Sequence, residues 1–336
     1  MIAGGDIPLP PRPKVALPGA RFELDRASNR YKISKIFQGQ NEEEIYRAPL
    51  TEIGVNISVG DYILAINGHD LTGTEEIYRL LRNAADNPVQ LLVNDKPATE
   101  SARTVSYRPV TDETKLIYLD WVNRNRQKVS ELSGGKIGYL HVPDMEADGI
   151  SEFIKWYYPQ LKKEGLIIDD RANGGGNVSR MLIERLRQKP LGADFQRTQD
   201  EPGLYPDGTF IGPMAVILDE NSGSDGDIFP LMFREAGLGP LIGKRSWGGA
   251  VGITNHGMLI DGGEVNVPEF GYADLKGDWI IEGHGVDPDI EVDNDPKSVI
   301  EGPDPQLERA VAEVQKRLKE KPVQWPPRPA DPVKLK

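Results

Sequence analysis

Two textures of hydrophobic patterning divide the chain. From residue 21 the apolar positions roughly alternate through "RFELDRASNRYKISKIF", which predicts two strands joined by a turn at Ser28-Asn29. "DYILAIN" then predicts a buried strand and Gly68 a tight turn. Thr74 stands where it would cap a helix over "EEIYRLLRNAA", with Glu75 and Glu76 favouring the positive end of that helix. "PVQLLVND" closes the module as a further strand. Residues 95–115 are polar, contain Pro97 and Pro109, and read as a linker into a helix that ends at Gly134-Gly135.

Beyond that point strands and helices alternate. "KIGYLHVP", "GLIIDDR", "PMAVILDE" and "GPLIGKR" read as strands, while "GISEFIKWYYPQL", "NVSRMLIERLRQ" and "DGDIFPLMFREAG" read as helices. Such alternation predicts parallel pairing and a layered α/β domain. "ITNHGMLIDGGEVNVPEF" predicts an antiparallel hairpin turning at Asp261-Gly262-Gly263. Leu307, Val311, Val314 and Leu318 share one face of a last helix. The predicted organisation is a Pro/Gly-rich lead-in (1–20), a small β-rich domain (21–97), a linker and helix (98–130), an α/β domain (131–322) and a Pro-rich tail (323–336).

Composition narrows the function classes. The chain has 336 residues, enough for two domains, and a net charge of −12 with no clustered basic face, which argues against nucleic acid and anionic membrane as partners. It has no cysteine, which excludes disulfides, thiolate catalysis and Cys-ligated metal. No apolar run reaches membrane-spanning length, no metal or cofactor is called for, and the N-terminal stretch lacks the pattern of a secretory signal.

Chemistry in open α/β sheets gathers beyond the carboxyl ends of the strands. One such end carries Gly174, Gly175 and Gly176 in "IIDDRANGGGNVSRM". Its two readings are a turn of small residues and half of an oxyanion hole, since amides at a helix N-terminus can donate to a negative oxygen. The next carries Ser224 in "DENSGSDGDIF", between a strand and a helix. Ser224 reads as an N-cap, with Asp227 in the capping-box region, or as a nucleophile. The glycine run at the preceding strand tip raises the second reading, because one acceptor oxygen could reach both. Glu282, in "WIIEGHGVDPDIEV", is placed at a strand end where a carboxylate could orient a histidine.

Together, "SGSDGDIF", "RANGGGNVS", "KRSWGGAVGIT" and "GHGVDPDIEV" resemble the tricorn core protease family, a branch related to the C-terminal-processing peptidases. "VNISVGDYILAINGHDL" resembles the PDZ domain of that family. The resemblance implies a PDZ-like domain followed by an α/β serine peptidase domain of the ClpP/crotonase type. It implies Ser224 as nucleophile, the Gly176 and Asp225 amides as oxyanion hole, and Glu282 in the network orienting the catalytic pair. It further implies substrate contacts at Gly175 and Gly249, and Asp194 as an acidic residue tied to preference for a basic residue at the cleavage site. Gly249 replaces the lysine of the related Ser-Lys enzymes, so the expected base is a histidine.

That histidine, preceded by a serine, is expected shortly before a "GGD" segment, and this chain begins "MIAGGDIP". The expectation is therefore a fragment whose base lies on an N-terminal subdomain outside it. Of the four histidines present, His69 is expected in an exposed turn, His141 in the core, His256 in the hairpin, and His284 as the only nearby substitute. Peptide substrates, homo-oligomerisation of the full-length protein and a cytoplasmic location complete the expectations. The alternative from another class is a non-catalytic peptide-binding or assembly module using the PDZ edge strand, and a third, hydratase-like reading of the crotonase fold ranks last for want of a CoA site.

Overall fold

The computed structural model describes residues 2–4, 12–198, 201–330 and 333. Part of the expected lead-in (5–11) and most of the tail beyond 330 lie outside the described residues. Contacts divide the chain into a unit of residues 8–124 and a unit of residues 1–7 and 125–336. The first strand, β1 (Ile2–Gly4), belongs to the second unit.

The 8–124 unit is a strongly bent antiparallel sheet. β2 (Ala20–Asp25) and β3 (Arg30–Ile36) form the expected hairpin, with Asn29 in the left-handed region at φ 56°. β4 (Tyr62–Ile66) turns through Asn67-Gly68 into the short β5 (His69–Asp70). Helix α1 (Ile77–Leu81), β6 (Val89–Asn94) and β7 (Arg103–Tyr107) follow. The strand order is β2-β3-β4-β6-β7, with β5 beside β4. The core holds Ile33, Ile63, Ile66, Leu91 and Val93.

Two features differ from expectation. Residues 103–107, read as linker, are the outer strand of this sheet. The helix expected over 75–85 is only five residues long, and Thr74 bonds Thr72 instead of capping it. The cause is tertiary. The lead-in runs alongside, so that Ala16 N–H donates to Leu81 C=O (2.9 Å) and Asn83 N–H donates to Lys14 C=O (2.6 Å). Those groups are then spent outside the helix.

Helix α2 (Thr114–Ser133) leads into the second unit, ending at Gly134 and Gly135, both with positive φ. There β8 (Ile137–His141), α3 (Ala147–Tyr157), β9 (Gly165–Asp169), α4 (Ser179–Leu186), a small ribbon of β10 (Gly192–Asp194) and β11 (Gly203–Tyr205), β12 (Met214–Leu218), α5 (Asp225–Glu235) and β13 (Leu241–Gly243) succeed one another. The protruding hairpin β14 (Gly252–Met258) and β15 (Gly263–Phe270) pairs with β1. The two-residue β16 (Ile290–Glu291), α6 (Pro296–Glu301) and α7 (Pro305–Glu320) finish the unit.

The central sheet is parallel throughout, ordered β16-β13-β12-β9-β8. Every residue of β8, β9 and β12 is buried, as a parallel sheet covered on both faces requires. β9 and β12 are neighbours, so the turns that follow them open side by side.

Candidate active site

The Ser224 turn is built by hydrogen bonds from the adjoining strand tip. Ser222 Oγ donates to Asp170 C=O (2.8 Å), and Gly223 N–H donates to Asn173 C=O (2.9 Å). Ser224 sits at φ 57°, ψ −122°, a conformation an L-residue adopts only at a cost of about 1–3 kcal/mol. It precedes α5 in the N-cap position, but its side chain makes no capping hydrogen bond. Asp227 is engaged mainly with a distant loop, although the Ser224 N–H also bears on its carboxylate. Its Oδ1 accepts from Ser246 Oγ (2.5 Å) and Gly248 N–H (2.8 Å), tying the first turn of α5 to the 246–248 loop. The cap reading thus fails for the Ser224 hydroxyl, which the strained backbone holds up and the helix does not use.

The glycine run lies against this turn. A Cβ on Gly175 would fall 2.5 Å from Ser224 Cβ and 3.0 Å from Asp225 N, and Gly175 has φ 84°, so glycine is required there on two grounds. Gly176 forms a parallel bridge with Met145, in which Met145 N–H donates to Gly175 C=O and Asn177 N–H donates to Met145 C=O, each at 2.7 Å. That pattern uses the groups flanking Gly176 and turns its own N–H to the opposite side. Asp225 is the first residue of α5, so its N–H has no intrahelical acceptor and lies at the positive end of the helix dipole.

Asn173 organises the loop and is fully buried. Its Nδ2 donates to Val142 C=O and to Asp170 Oδ1, and its Oδ1 accepts from Gly175 N–H, all at 2.9 Å. The Asp225 carboxylate faces away from Ser224, accepting from Ser179 Oγ (2.5 Å) and Ser179 N–H (2.9 Å), which joins α5 to the start of α4.

Three buried acids surround this frame. Burial pushes Asp225 and Asp227 above the ordinary carboxyl range. Asp170 is raised further, by burial and by the charges of Asp169, Asp219 and Asp227. Asp170 Oδ2 and Asp227 Oδ2 have no hydrogen-bond partner within bonding geometry among the described residues, and burial of such oxygens disfavours the charged form. Asp169 goes the other way: burial raises it, but the buried Arg171 guanidinium, bonded at 2.9 and 2.6 Å, outweighs that and leaves it lowered.

Glu282 does not end a strand. It follows Ile281, at φ 75°, in an irregular turn, and its Oε2 accepts from Ala250 N–H (2.8 Å) and Val251 N–H (2.7 Å). Gly249 precedes those amides, and a Cβ there would strike the Trp247 ring, as would one on Gly223. Trp247, 67% exposed, therefore stands beside the serine turn.

The histidines are engaged elsewhere. His141 is buried, its ring nitrogen 2.8 Å from Arg171 C=O, with burial lowering its pKa. His256 pairs with Glu269 (2.6 Å) and His284 with Asp287 (2.7 Å), not with Glu282. His69 is exposed in β5 of the other unit. Asp194 is exposed in β10, its carboxyl over Gly203 of the paired β11, and among the described residues no hydrogen bond or ion pair joins it to Ser224. Of the residues that sequence reasoning grouped, Gly175 lies against Ser224 and Asp225, and Gly176 follows it in the chain beside Met145. That reasoning passed over Asn173, Asp170 and Trp247, which carry no periodic signal.

Comparison with known proteins fits this geometry. Residues 136–292 match the model of peptidase family S41, and residues 17–112 match the tricorn protease PDZ domain. The tricorn protease homolog of Saccharolobus solfataricus is 39% identical over 89% of this chain and 27% of its own length. The tricorn protease of Thermoplasma acidophilum is 36% identical over 92% of this chain and 28% of its own length. A crystal structure of the tricorn protease superposes with TM-score 0.83 at 35% identity, covering 90% of this chain and 29% of the solved one. The chain spans about a third or less of the length of the tricorn relatives it matches. Among the described residues no helix is long and apolar enough to cross a membrane.

Proposed function

Because the chain belongs to the tricorn core protease family, we propose that it carries the nucleophile half of a serine peptidase acting on peptides or unfolded polypeptides. Ser224 Oγ attacks the scissile carbonyl carbon as a histidine removes its proton. The carbonyl oxygen, now negative, accepts from the Gly176 and Asp225 amides. The C–N bond then breaks, the amine leaves with the proton returned by the histidine, and water hydrolyses the acyl-Ser224 by the same steps. The histidine comes from outside this chain, consistent with the engagement of His141, His256 and His284 elsewhere. Glu282 orients it, and the pair of amides held by Glu282 Oε2 fixes that carboxylate in place. Gly175 and Gly249 leave room for the substrate backbone, and Asp194 contributes to a preference for a basic residue. The full-length protein works as a cytoplasmic homo-oligomer.

The observation that carries the reading is the strained Ser224, whose hydroxyl caps nothing and whose Cβ touches Gly175. The test is fluorophosphonate labelling followed by peptide mapping, with and without the histidine-bearing N-terminal part of a tricorn relative. Modification of Ser224 that rises when that part is added supports the proposal. Absence of labelling at Ser224 in the presence of that part refutes it. A second reading, a peptide-binding module, draws on the edge position of β2 in its sheet.

A further inference from the structure

β2 is an edge strand of the 8–124 sheet, and helix α1 lies beside it: the Phe22 and Tyr78 rings meet edge-on with centroids 6.2 Å apart. An edge strand flanked by a helix is the setting in which PDZ domains add an extended peptide as a further strand, with a backbone nest for its terminal carboxylate. Here the mouth of that cleft, where "ALPGA" (16–20) turns into β2, already holds a carboxylate. Gly19 N–H donates to Glu113 Oε1 at 2.7 Å, and Arg21 Nη1 donates to Glu113 Oε2 at 2.6 Å.

Each Glu113 oxygen thus has a donor of its own, one a loop amide and one a guanidinium, the pairing that makes strong charge-assisted bonds. Glu113 is only 7% exposed, although it lies 94 residues from Gly19. The receptor is rigid. Gly19 is held at φ 76° with Pro49 and Leu116 packed where a Cβ would go. The Arg21 guanidinium is stacked 4.6 Å from the centroid of the Phe37 ring and also donates to Ala20 C=O. Burial raises the Tyr78 hydroxyl and the Glu113 charge raises it further, while the neighbouring Arg21 opposes both.

We propose that the mouth of the β2–α1 cleft is a receptor for the C-terminal carboxylate of an extended peptide, and that Glu113 is an internal occupant that keeps it shut. The donors, Gly19 N–H and Arg21, are those a free C-terminus would use, and the side chain of Glu113 presents the same two oxygens. The wild-type domain therefore refuses free C-termini, and vacating the site creates the binding. This inference stands apart from the Ser224 reading.

The test uses the full chain with Ser224→Ala, so that no probe is cleaved. Fluorescence anisotropy is read with a labelled hexapeptide ending in leucine, as the free acid and as the C-terminal amide. Without further change, neither probe is expected to saturate. Glu113→Ala is expected to bind the acid at least tenfold more tightly than the parent and at least tenfold more tightly than the amide. Adding Arg21→Ala should abolish that gain. Should Glu113→Ala fail to fold, Glu113→Gln keeps the side-chain shape while removing the charge paired with Arg21, and a several-fold gain for the acid over the amide is expected. Equal binding of the acid by parent and variant, or equal binding of acid and amide by a folded variant, overturns the proposal.

Discussion

The two units use one device with opposite outcomes. In each, a glycine-bearing loop lies at a strand end, and in the proposed reading its backbone N–H serves a negative oxygen. At Gly19 the oxygen is supplied from within, by Glu113, and the loop is closed. At Gly176 and Asp225 the neighbouring groups are satisfied by Met145, Asn173 and Ser179, and the proposed oxyanion hole would draw on the two amides that remain. Frameworks of similar construction therefore differ in whether a side chain is placed to fill them. A filled amide site is a structural joint, whereas one left open beside a strained serine would be free to do chemistry.

The strongest way to break the comparison is to remove the hydroxyl. In the enzyme assembled with its histidine, Ser224→Ala should lower kcat for a fluorogenic peptide on the order of a million-fold. Retention of more than a hundredth of the activity would mean that the open site is not where bond cleavage happens. Next in size is Gly175→Ala. Its Cβ would sit 2.5 Å from Ser224 Cβ, so the serine turn must shift, and a displacement near 1 Å at a reacting group costs about a hundredfold. The rate of Ser224 phosphonylation should fall by that order while the fold, followed by circular dichroism, persists.

A smaller effect is expected from Asn173→Ala. It leaves Gly175 N–H and Asp170 Oδ1 without their buried partner, a loss of about 1–3 kcal/mol in unfolding free energy, read from urea denaturation. An unchanged midpoint would show that the loop holds its shape without Asn173.

The smallest effect concerns pH. Asp170 has a folded pKa above its unfolded value, so the stability linked to its proton is present at low pH and lost as pH rises through the folded pKa. Asp170→Asn, which cannot ionise, should flatten the decline of Tm on the alkaline side and leave the acid side unchanged. Asp169, lowered overall by Arg171, contributes in the reverse sense, losing its stabilisation as pH falls through its folded pKa, and serves as the internal contrast. Parallel Tm profiles for Asp170→Asn and its parent would show Asp170 to be ionised in the fold.

Much of this was legible in the sequence because burial on both faces writes itself into composition. β8, β9 and β12 are continuous apolar runs, and the helices between them have clear apolar faces. The serine and glycine turns were legible because glycine triples and a serine between strand and helix are unusual punctuation. The misses have physical causes. β7, "RTVSY", buries only Val105 and Tyr107 within a polar stretch, so its alternation was too short to register. Helix α1 is shortened by hydrogen bonds to a lead-in far away in sequence, which no local propensity encodes. Glu282 follows an isoleucine with positive φ, a conformation its flanking apolar residues give no hint of. Asp227 had the position of a capping residue, but a loop 19 residues on took its carboxylate.

The central claim is that Ser224 Oγ and the amides of Gly176 and Asp225 converge on one oxygen. The most direct measurement is a crystal structure of the chain after phosphonylation by a fluorophosphonate. Phosphorus is expected bonded to Ser224 Oγ, with a phosphonyl oxygen within hydrogen-bonding distance of both N–H groups. A phosphonyl oxygen directed to solvent, with Gly176 N–H bonded to a protein acceptor, would contradict it.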